Sequence, residues 1–218
     1  MHRSKEPPIR IIPVAFGALL LLTVPACGDE GASPPTATLQ VLAGTVEVDS
    51  GSGTFEPASS GLRVETGMTV RTGPDGRAEI EWFDGSRTRL DYSTTFRVAR
   101  MEWADGATVI TGEHTTGRTY SFVVAFTDAG SRFDIETPSA IASVQGTEYA
   151  LFIEEDGTTT LVVLDQSVRL ESAVGSATIE AGFSLTFGPP ATMNILPEPA
   201  PTPTDLLDSD WIQFNQSG

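Results

Sequence analysis

Few residues of this chain have the type and spacing that catalysis or metal binding requires. His114, in the segment Thr-Gly-Glu-His-Thr-Thr, is one of two histidines, and the other is His2 near the start of the chain. The sequence has neither a Gly-x-Ser-x-Gly elbow nor a His-Glu-x-x-His zinc motif. A single histidine in a polar loop is more often solvated than catalytic. We therefore expect a protein that is not an enzyme and that binds no metal and no cofactor.

Neighbouring carboxylates are the next candidates for chemistry. Glu79 and Glu81 are two residues apart, so on a strand they point to one face, as catalytic carboxylate pairs can. They alternate with apolar residues, which favours the solvent face of an amphipathic strand. We expect Arg87 and Arg89 to pair with them across a hairpin. The run Glu154-Glu155-Asp156-Gly157 lacks the spaced oxygen ligands of a calcium loop and predicts a hairpin tip.

The single cysteine, Cys27, has a position that explains its presence. Basic residues precede an apolar run at 11–24, which is shorter than the ~18–20 residues of a membrane-spanning helix. The run ends in Val24-Pro25-Ala26-Cys27, which is similar to a bacterial lipobox. We expect cleavage before Cys27 and lipidation of its thiol, which would anchor the protein to a membrane. The alternative is an ordinary secretory signal peptide with a chance cysteine.

The charge balance argues against nucleic acid as a partner. The formal net charge is −16, with 13 basic and 29 acidic residues. After residue 27 there is no lysine, and every cation is an arginine. A surface this acidic repels phosphate backbones and anionic lipid headgroups. It is typical of a soluble acidic domain outside the cytoplasm, and it can also reflect a saline habitat.

Short amphipathic strands separated by turn residues dominate residues 39–187. Ala78, Ile80 and Trp82 alternate with polar residues, and the turn pair Asp84-Gly85 follows them. The pattern is weak over 101–119, whereas 120–126 alternates clearly and predicts a strand. The expected fold class is all-β, with stacked short strands in a β-solenoid-like or β-sandwich arrangement and a short C-terminal helix.

Composition divides the chain into five segments. Residues 1–27 are the predicted lipoprotein signal peptide, and 28–38 are a small, polar, flexible tether. Residues 39–188 form the all-β domain. Residues 189–205 are rich in proline and predict a semi-rigid extended linker. Residues 206–218 form an apolar C-terminal tail.

The tail carries one apolar stripe at helical spacing, formed by Leu207, Trp211 and Phe214, with Asp205 as its predicted N-cap. A helix of about nine residues is too short to be stable alone in water, so the stripe must dock on a surface. We favour a surface of the chain's own β domain, because an exposed Trp and Phe would promote aggregation. A partner protein is the alternative.

Four motifs occur in a characteristic order: Gly44-Thr45-Val46, the pair Thr72-Gly73, the hairpin at 76–86 and the segment 133–149. This series resembles the FecR domain family. The last segment contains the residues that we expect to form the family's motif and a possible binding site, namely Thr137, Pro138, Gln145, Gly146 and Thr147. Gln145 stands where the family usually has Arg. We expect Gly146 to be needed for its backbone conformation.

The resemblance implies an all-β extracytoplasmic module used for protein contact or sensing. Only about ten residues precede the apolar run, so we do not expect the cytoplasmic anti-sigma domain of the best-known members. We expect a lipid-anchored, non-enzymatic module of the bacterial cell envelope, facing the periplasm or the exterior, that binds a ligand or an envelope protein or serves as a scaffold. The alternative is an extracytoplasmic sensory subunit of a cell-surface signalling system of the iron-uptake type.

Overall fold

Strands separated by tight turns account for most of the structure, a computed structural model that describes residues 34–189, 193 and 195–216. The predicted signal peptide, Cys27 and the tether as far as residue 33 lie outside the described residues. Among the helices that the structure describes, none has the length and apolar composition needed to cross a membrane.

Seventeen strands and two short helices follow one another along the described chain. The strands are β1 (Ala37–Ala43), β2 (Val46–Asp49), β3 (Glu56–Pro57), β4 (Leu62–Val64), β5 (Thr69–Thr72), β6 (Arg77–Glu81), β7 (Arg87–Leu90), β8 (Thr95–Ala104), β9 (Ala107–Val123), β10 (Arg132–Glu136), β11 (Ile141–Val144), β12 (Thr147–Ile153), β13 (Thr159–Val163), β14 (Ser167–Ser172), β15 (Gly175–Glu180), β16 (Phe183–Phe187) and β17 (Ala200–Pro201). The helices are α1 (Thr204–Leu207) and α2 (Asp210–Gln216). The expected all-β fold with helix only at the C-terminal end is confirmed.

The strands pair into two ladders that share one strand. Ladder A has the order β4-β1-β6-β7-β9-β12-β13-β16-β17. Ladder B has the order β3-β2-β5-β8-β9-β10-β11-β14-β15. All these pairs are antiparallel except β9 with β10, which is parallel. The chain passes from one ladder to the other after every one or two strands, so both ladders contain strands from both halves of the sequence.

β9 is the strand that joins the two ladders. Its first part pairs with β8 and β10 in ladder B, and from Gly117 onwards it pairs with β12 and β7 in ladder A. At this transition Gly117 has a φ of +91°, and a Cβ there would lie 2.5 Å from the Cα of Thr94, so only glycine fits. The strand expected at 120–126 is therefore the end of a 17-residue strand that stops at Val123.

Polar residues buried by β9 explain why the sequence pattern is weak as far as residue 119, since Thr108, Thr111, His114 and Thr119 are all buried. Thr119 and Ser121 are each 1% exposed and face the interior. The Ser121 hydroxyl lies 3.2 Å from the hydroxyl of Thr88, which also accepts a hydrogen bond of 3.0 Å from the indole N–H of Trp82. Because buried polar groups with hydrogen-bond partners cost little, the polar side of this alternating segment is tolerated in the interior.

One apolar core lies between the two ladders. Trp82, which follows β6, contacts the other ladder through its ring edges. Its ring centroid lies 6.1 Å from that of Phe96 in β8 and 5.6 Å from that of Phe133 in β10. Edge-to-face pairs of this kind contribute about 0.5–1.5 kcal/mol beyond the burial of apolar area. Trp82 therefore holds the two layers together at the centre of the core.

The expectation that His114 is a solvated loop residue is wrong. It lies within β9, is fully buried, and has its ring centroid 6.2 Å from that of Phe96. Its Nε2 donates to the carbonyl oxygen of Thr116 at 3.1 Å, and its Nδ1 accepts from the hydroxyl of Thr119 at 3.3 Å. Both ring nitrogens are thus used by the neutral form. Burial lowers the pKa of His114 to about 3.

The C-terminal tail packs on the outer face of ladder A. Trp211 and Ile212 are 1% and 0% exposed and form a cluster with side chains of that face, which we call the tail cluster. Its members are Tyr120, Ala150, Phe152, Val162, Trp211 and Ile212. Leu207 and Phe214 are half-buried at its border. The stripe of Leu207, Trp211 and Phe214 is divided between two helices rather than carried by one, because the chain breaks at 208–209.

The start of the tail also differs from expectation in two details. Asp205 is not an N-cap, since the N-cap position of α1 is Pro203 and Asp205 lies in the first turn. The Pro-rich segment is not only a linker, because Ala200–Pro201 form β17 against the edge of β16.

Arg77 strengthens the docking of the tail. Its guanidinium lies 4.5 Å from the ring centroid of Phe214, and its Nε is 2.8 Å from Oδ1 of the buried Asp91.

Truncation after Leu196 should lower the thermal stability of the protein, because it uncovers the apolar side chains of the tail cluster. A matched pair of point variants tests the same contact without removing β17. Trp211→Ala should destabilise by about 3 kcal/mol, whereas Gln213→Ala, at an exposed position of the same helix, should have a small effect. Equal effects of the two variants in urea denaturation would contradict a docked helix.

Fluorescence quenching gives an independent measure of tail docking. Trp103 is 62% exposed, whereas Trp82 and Trp211 are buried. In a Trp103→Phe background, acrylamide should therefore quench the remaining emission weakly. Strong quenching that disappears after truncation would show that Trp211 is exposed in solution, and that the tail is a peptide for a partner protein.

The buried His114 predicts a specific pH dependence of stability. Its folded pKa, about 3, lies below its ordinary value of 6.5, so between these two pH values the unfolded state binds more protons. The free energy of unfolding should therefore fall as the pH drops below 6.5, by up to ~1.4 kcal/mol per pH unit from this residue. In urea denaturation between pH 7.5 and 4.5, His114→Gln should show a shallower decline than wild type. Parallel curves would contradict a neutral, buried His114.

Candidate functional site

The tail covers only part of the outer face of ladder A, and a cleft of about 230 Å³ lies beside it. We call this feature the cleft. Cross-strand register places its side chains next to one another. Arg87 lies opposite Phe122, and Arg89 lies opposite Tyr120. On the next strand Glu148 lies opposite Phe122. The cleft is lined by Glu79, Arg87, Arg89, Tyr120, Phe122, Glu148, Asn215 and Gln216.

Arg89 joins the floor of the cleft to the tail. Its Nε donates to Oε2 of Glu79 at 2.6 Å, and the two side chains are 19% and 13% exposed. Its Nη1 donates to Oδ1 of Asn215 at 3.3 Å. The amide nitrogen of Asn215 in turn donates to the carbonyl oxygen of Trp211 at 2.6 Å. The cleft therefore exists only while α2 is docked, because one wall belongs to the helix.

Tyr120 and Glu148 form a second polar pair in the cleft. The Tyr120 hydroxyl donates to Oε2 of Glu148 at 3.0 Å. Burial, together with the negative charge of Glu148, raises the pKa of Tyr120 above its ordinary value of 10. The phenol therefore stays protonated and acts as a hydrogen-bond donor at neutral pH.

Arg87 differs from Arg89 in having no carboxylate partner. The expected pairing across the hairpin is confirmed for Arg89 with Glu79. It is wrong for Arg87, which forms no ion pair with any described residue. Arg87 and Glu81 lie directly opposite in register but form no ion pair. Its guanidinium instead lies 5.4 Å from the ring centroid of Phe122. This leaves the donors of Arg87 available to a ligand.

The first half of the predicted motif is a structural corner. The hydroxyl of Thr137, between β10 and β11, donates to the carbonyl oxygen of Ala140 at 2.9 Å. Ser139, after the exposed Pro138, donates its hydroxyl to the carbonyl oxygen of Gly157 at 2.8 Å. Thr137 thus closes the corner, and Ser139 holds the β12–β13 hairpin tip against it.

The second half of the motif lies at the other end of β11. Gly146 is buried with a φ of +107°, and a Cβ there would lie 2.5 Å from the Cα of Ala125. The Thr147 hydroxyl donates to the carbonyl oxygen of Asp165. Gln145 is exposed and lines a shallow depression on ladder B with Arg132 and other residues. The structure therefore does not bring the five motif residues into one site.

Several cleft residues escaped the sequence analysis. Tyr120, Glu148 and Asn215 come from β9, β12 and α2, and no spacing in the sequence connects them. One sequence feature could have indicated the cleft, namely the alternating charged residues in the hairpin of β6 and β7, which mark the solvent side of ladder A. Among the described residues, no group of three or more His, Cys, Asp or Glu side chains could hold a metal ion.

Gly146→Val should destabilise the domain by about 1–3 kcal/mol, because the side chain adds backbone strain and meets the main chain of Ala125. Gly182→Val is the matched control: Gly182 has a φ of +83°, but no atom lies within 4 Å of the position that a Cβ would take there. The control variant therefore carries the strain alone and should lose less stability. Thermal melts measure both. An unchanged melting temperature for Gly146→Val would contradict a structural role.

Comparison with known proteins gives a family match within the β domain. Residues 68–169 match the family model described as FecR protein. Two crystal structures of a "putative anti-sigma factor" from Parabacteroides distasonis ATCC 8503, at 1.65 and 2.50 Å resolution, are similar to this chain. For each, the sequence identity is 16% and the TM-score 0.48, and the match covers 62% of this chain and 58% of that chain. The chain thus matches less than two thirds of their length. No curated protein matches it.

The resemblance seen in the sequence is therefore confirmed over the central part of the domain, while the motif at Gly44 lies outside the matched residues. The matched segment contains all of β5 to β13, including β9 and all six strand residues that line the cleft. From residue 68 to residue 169, the chain thus matches the FecR family.

Proposed function

We propose that this protein is a lipid-anchored, non-enzymatic FecR-domain module of the bacterial cell envelope that binds a protein or another ligand. The observation that carries the proposal is the FecR match over residues 68–169. The short apolar run that ends in Val-Pro-Ala-Cys27 supports the anchor and the compartment. Cys27 would then attach the domain to a membrane, on the periplasmic or outer side.

The geometry of the cleft fits recognition better than catalysis. Glu79 is held by Arg89, and Glu148 accepts a hydrogen bond from Tyr120. Nucleophilic catalysis needs a nucleophile beside a base that takes its proton, and the described residues that line the cleft include no serine, cysteine, histidine or lysine for these roles. His114, the histidine of the described domain, is buried in the core rather than in the cleft.

A sensory role in envelope signalling is the second candidate, and the FecR match favours it because the best-known members of that family are regulators. In that case the same binding event would change the activity of a separate membrane regulator. Deletion of the gene would then alter transcription of a neighbouring receptor or sigma-factor operon, whereas loss of a scaffold would not.

Cys27→Ala should leave the protein unprocessed or shift it from the membrane fraction to the soluble fraction, because lipidation requires the thiol. Wild type should incorporate radiolabelled palmitate and the variant should not. Wild-type protein that takes up no label, or a variant that stays processed and membrane-bound, would contradict the lipoprotein assignment.

Affinity purification of the intact protein from membranes, followed by mass spectrometry, tests the binding role.

A further inference from the structure

Almost every cation of this acidic domain is neutralised by a neighbour. Nine of its ten arginines form an ion pair within the described residues. These are Arg63, Arg71, Arg77, Arg89, Arg97, Arg100, Arg118, Arg132 and Arg169. Arg87 is the exception, in a chain with 29 acidic residues to 13 basic ones. Arg87 is therefore the guanidinium of this domain whose donors are free of a carboxylate within the described residues.

Arg87 is free at one end of the cleft, where a second guanidinium lies close by. Arg89, two residues along the same strand, points to the same side of the sheet but is already bound to Glu79 and Asn215. The guanidinium of Arg87 lies over the ring of Phe122, 5.4 Å from its centroid. An arginine with its plane supported and its donors unoccupied can bind a carboxylate through two parallel hydrogen bonds.

The other end of the cleft presents a hydrogen-bond acceptor, the carboxylate of Glu148. Glu148 uses one oxygen to accept from Tyr120, and a carboxylate with two oxygens can accept further N–H donors. Arg87, Phe122 and Glu148 stand side by side on β7, β9 and β12. Two strand spacings of about 4.8 Å place the arginine and the carboxylate roughly 10 Å apart, with the aromatic ring between them. About three residues of extended peptide span that distance.

The volume of the cleft limits what it can hold. At about 230 Å³, it is smaller than the ~300–1,000 Å³ of most small-molecule and cofactor sites. It therefore suits a short stretch of a longer ligand. A carboxylate at one end and N–H donors at the other are the groups that a peptide supplies.

We propose that the cleft binds a peptide carboxylate, with Arg87 as the residue that pairs with the carboxylate and Glu148 as the acceptor for a peptide N–H. The inference rests on the proposed binding function and specifies the ligand class for it. The carboxylate can be the C-terminal group of a protein or an acidic side chain within it. Because Asn215 and Gln216 of α2 line the same cleft, a docked tail is a condition for binding.

Calorimetric titration of the intact protein, purified from membranes, with three short peptides tests the proposal. The probes are N-acetyl-Ala-Ala-Ala with a free carboxylate, its C-terminal amide, and N-acetyl-Ala-Glu-Ala amide. The free acid or the glutamate peptide should bind, and the uncharged amide should bind at least about tenfold more weakly. The stronger of the two acidic peptides identifies the source of the carboxylate. Failure of both acidic peptides to bind, or equal binding of the uncharged amide, would overturn the proposal.

Variants distinguish a specific role of Arg87 in binding from a general effect of surface charge. Arg87→Gln should weaken binding of the acidic peptide by about tenfold or more, and Arg87→Lys should recover only part of it because an ammonium lacks the planar pair of donors. Arg63→Gln, which removes an exposed charge from another part of ladder A, should leave affinity unchanged. Equal losses for Arg63→Gln and Arg87→Gln would contradict the site. If Arg87→Gln retained the envelope partner captured by wild type, the binding function would stand and the cleft proposal would fail.

Discussion

The structure depends on β9, which alone among the described strands belongs to both ladders. Its first part pairs in ladder B and its last part in ladder A, and Gly117 permits the change of direction. Because a single strand continues through both layers, neither layer can move without the other. Trp82 then fills the space between them through its contacts with Phe96 and Phe133. The space between the two ladders is thereby filled by apolar side chains. The candidate site lies on the outer face of ladder A.

That outer face is unusual because part of it is buried by the chain's own tail. β12 and β13 are apolar on both sides, as in strands covered on both faces, and Trp211 and Ile212 provide the second cover. Where the cover ends, the same face presents Arg87, Phe122 and Glu148 in one row. The boundary between a covered and an uncovered region of one sheet thus creates both the cleft and the unpaired arginine in it.

The sequence predicted local features well and the site poorly, for physical reasons. The hairpin at Asp84-Gly85 and the pairing of Glu79 with Arg89 depend only on turn chemistry and a period of two, so both could be predicted. The end of β9 could also be predicted, but its first part could not, since buried polar residues such as Thr111 and His114 remove the alternation on which strand prediction relies. The cleft depends on the order β7-β9-β12, in which the strands come from distant parts of the chain, and no spacing in the sequence encodes that register.

Recognition of a partner protein at the cleft on ladder A, as we propose, can be tested directly by photo-cross-linking. Phe122 and Leu62 are both on ladder A and are 37% and 38% exposed, so a photoreactive phenylalanine analogue at either position has the same access to solvent. After irradiation of intact cells of the native host, the analogue at Phe122 should give a discrete cross-linked product, and the analogue at Leu62 should not. A product from Leu62 alone, or the same product from both positions, would contradict recognition at the cleft.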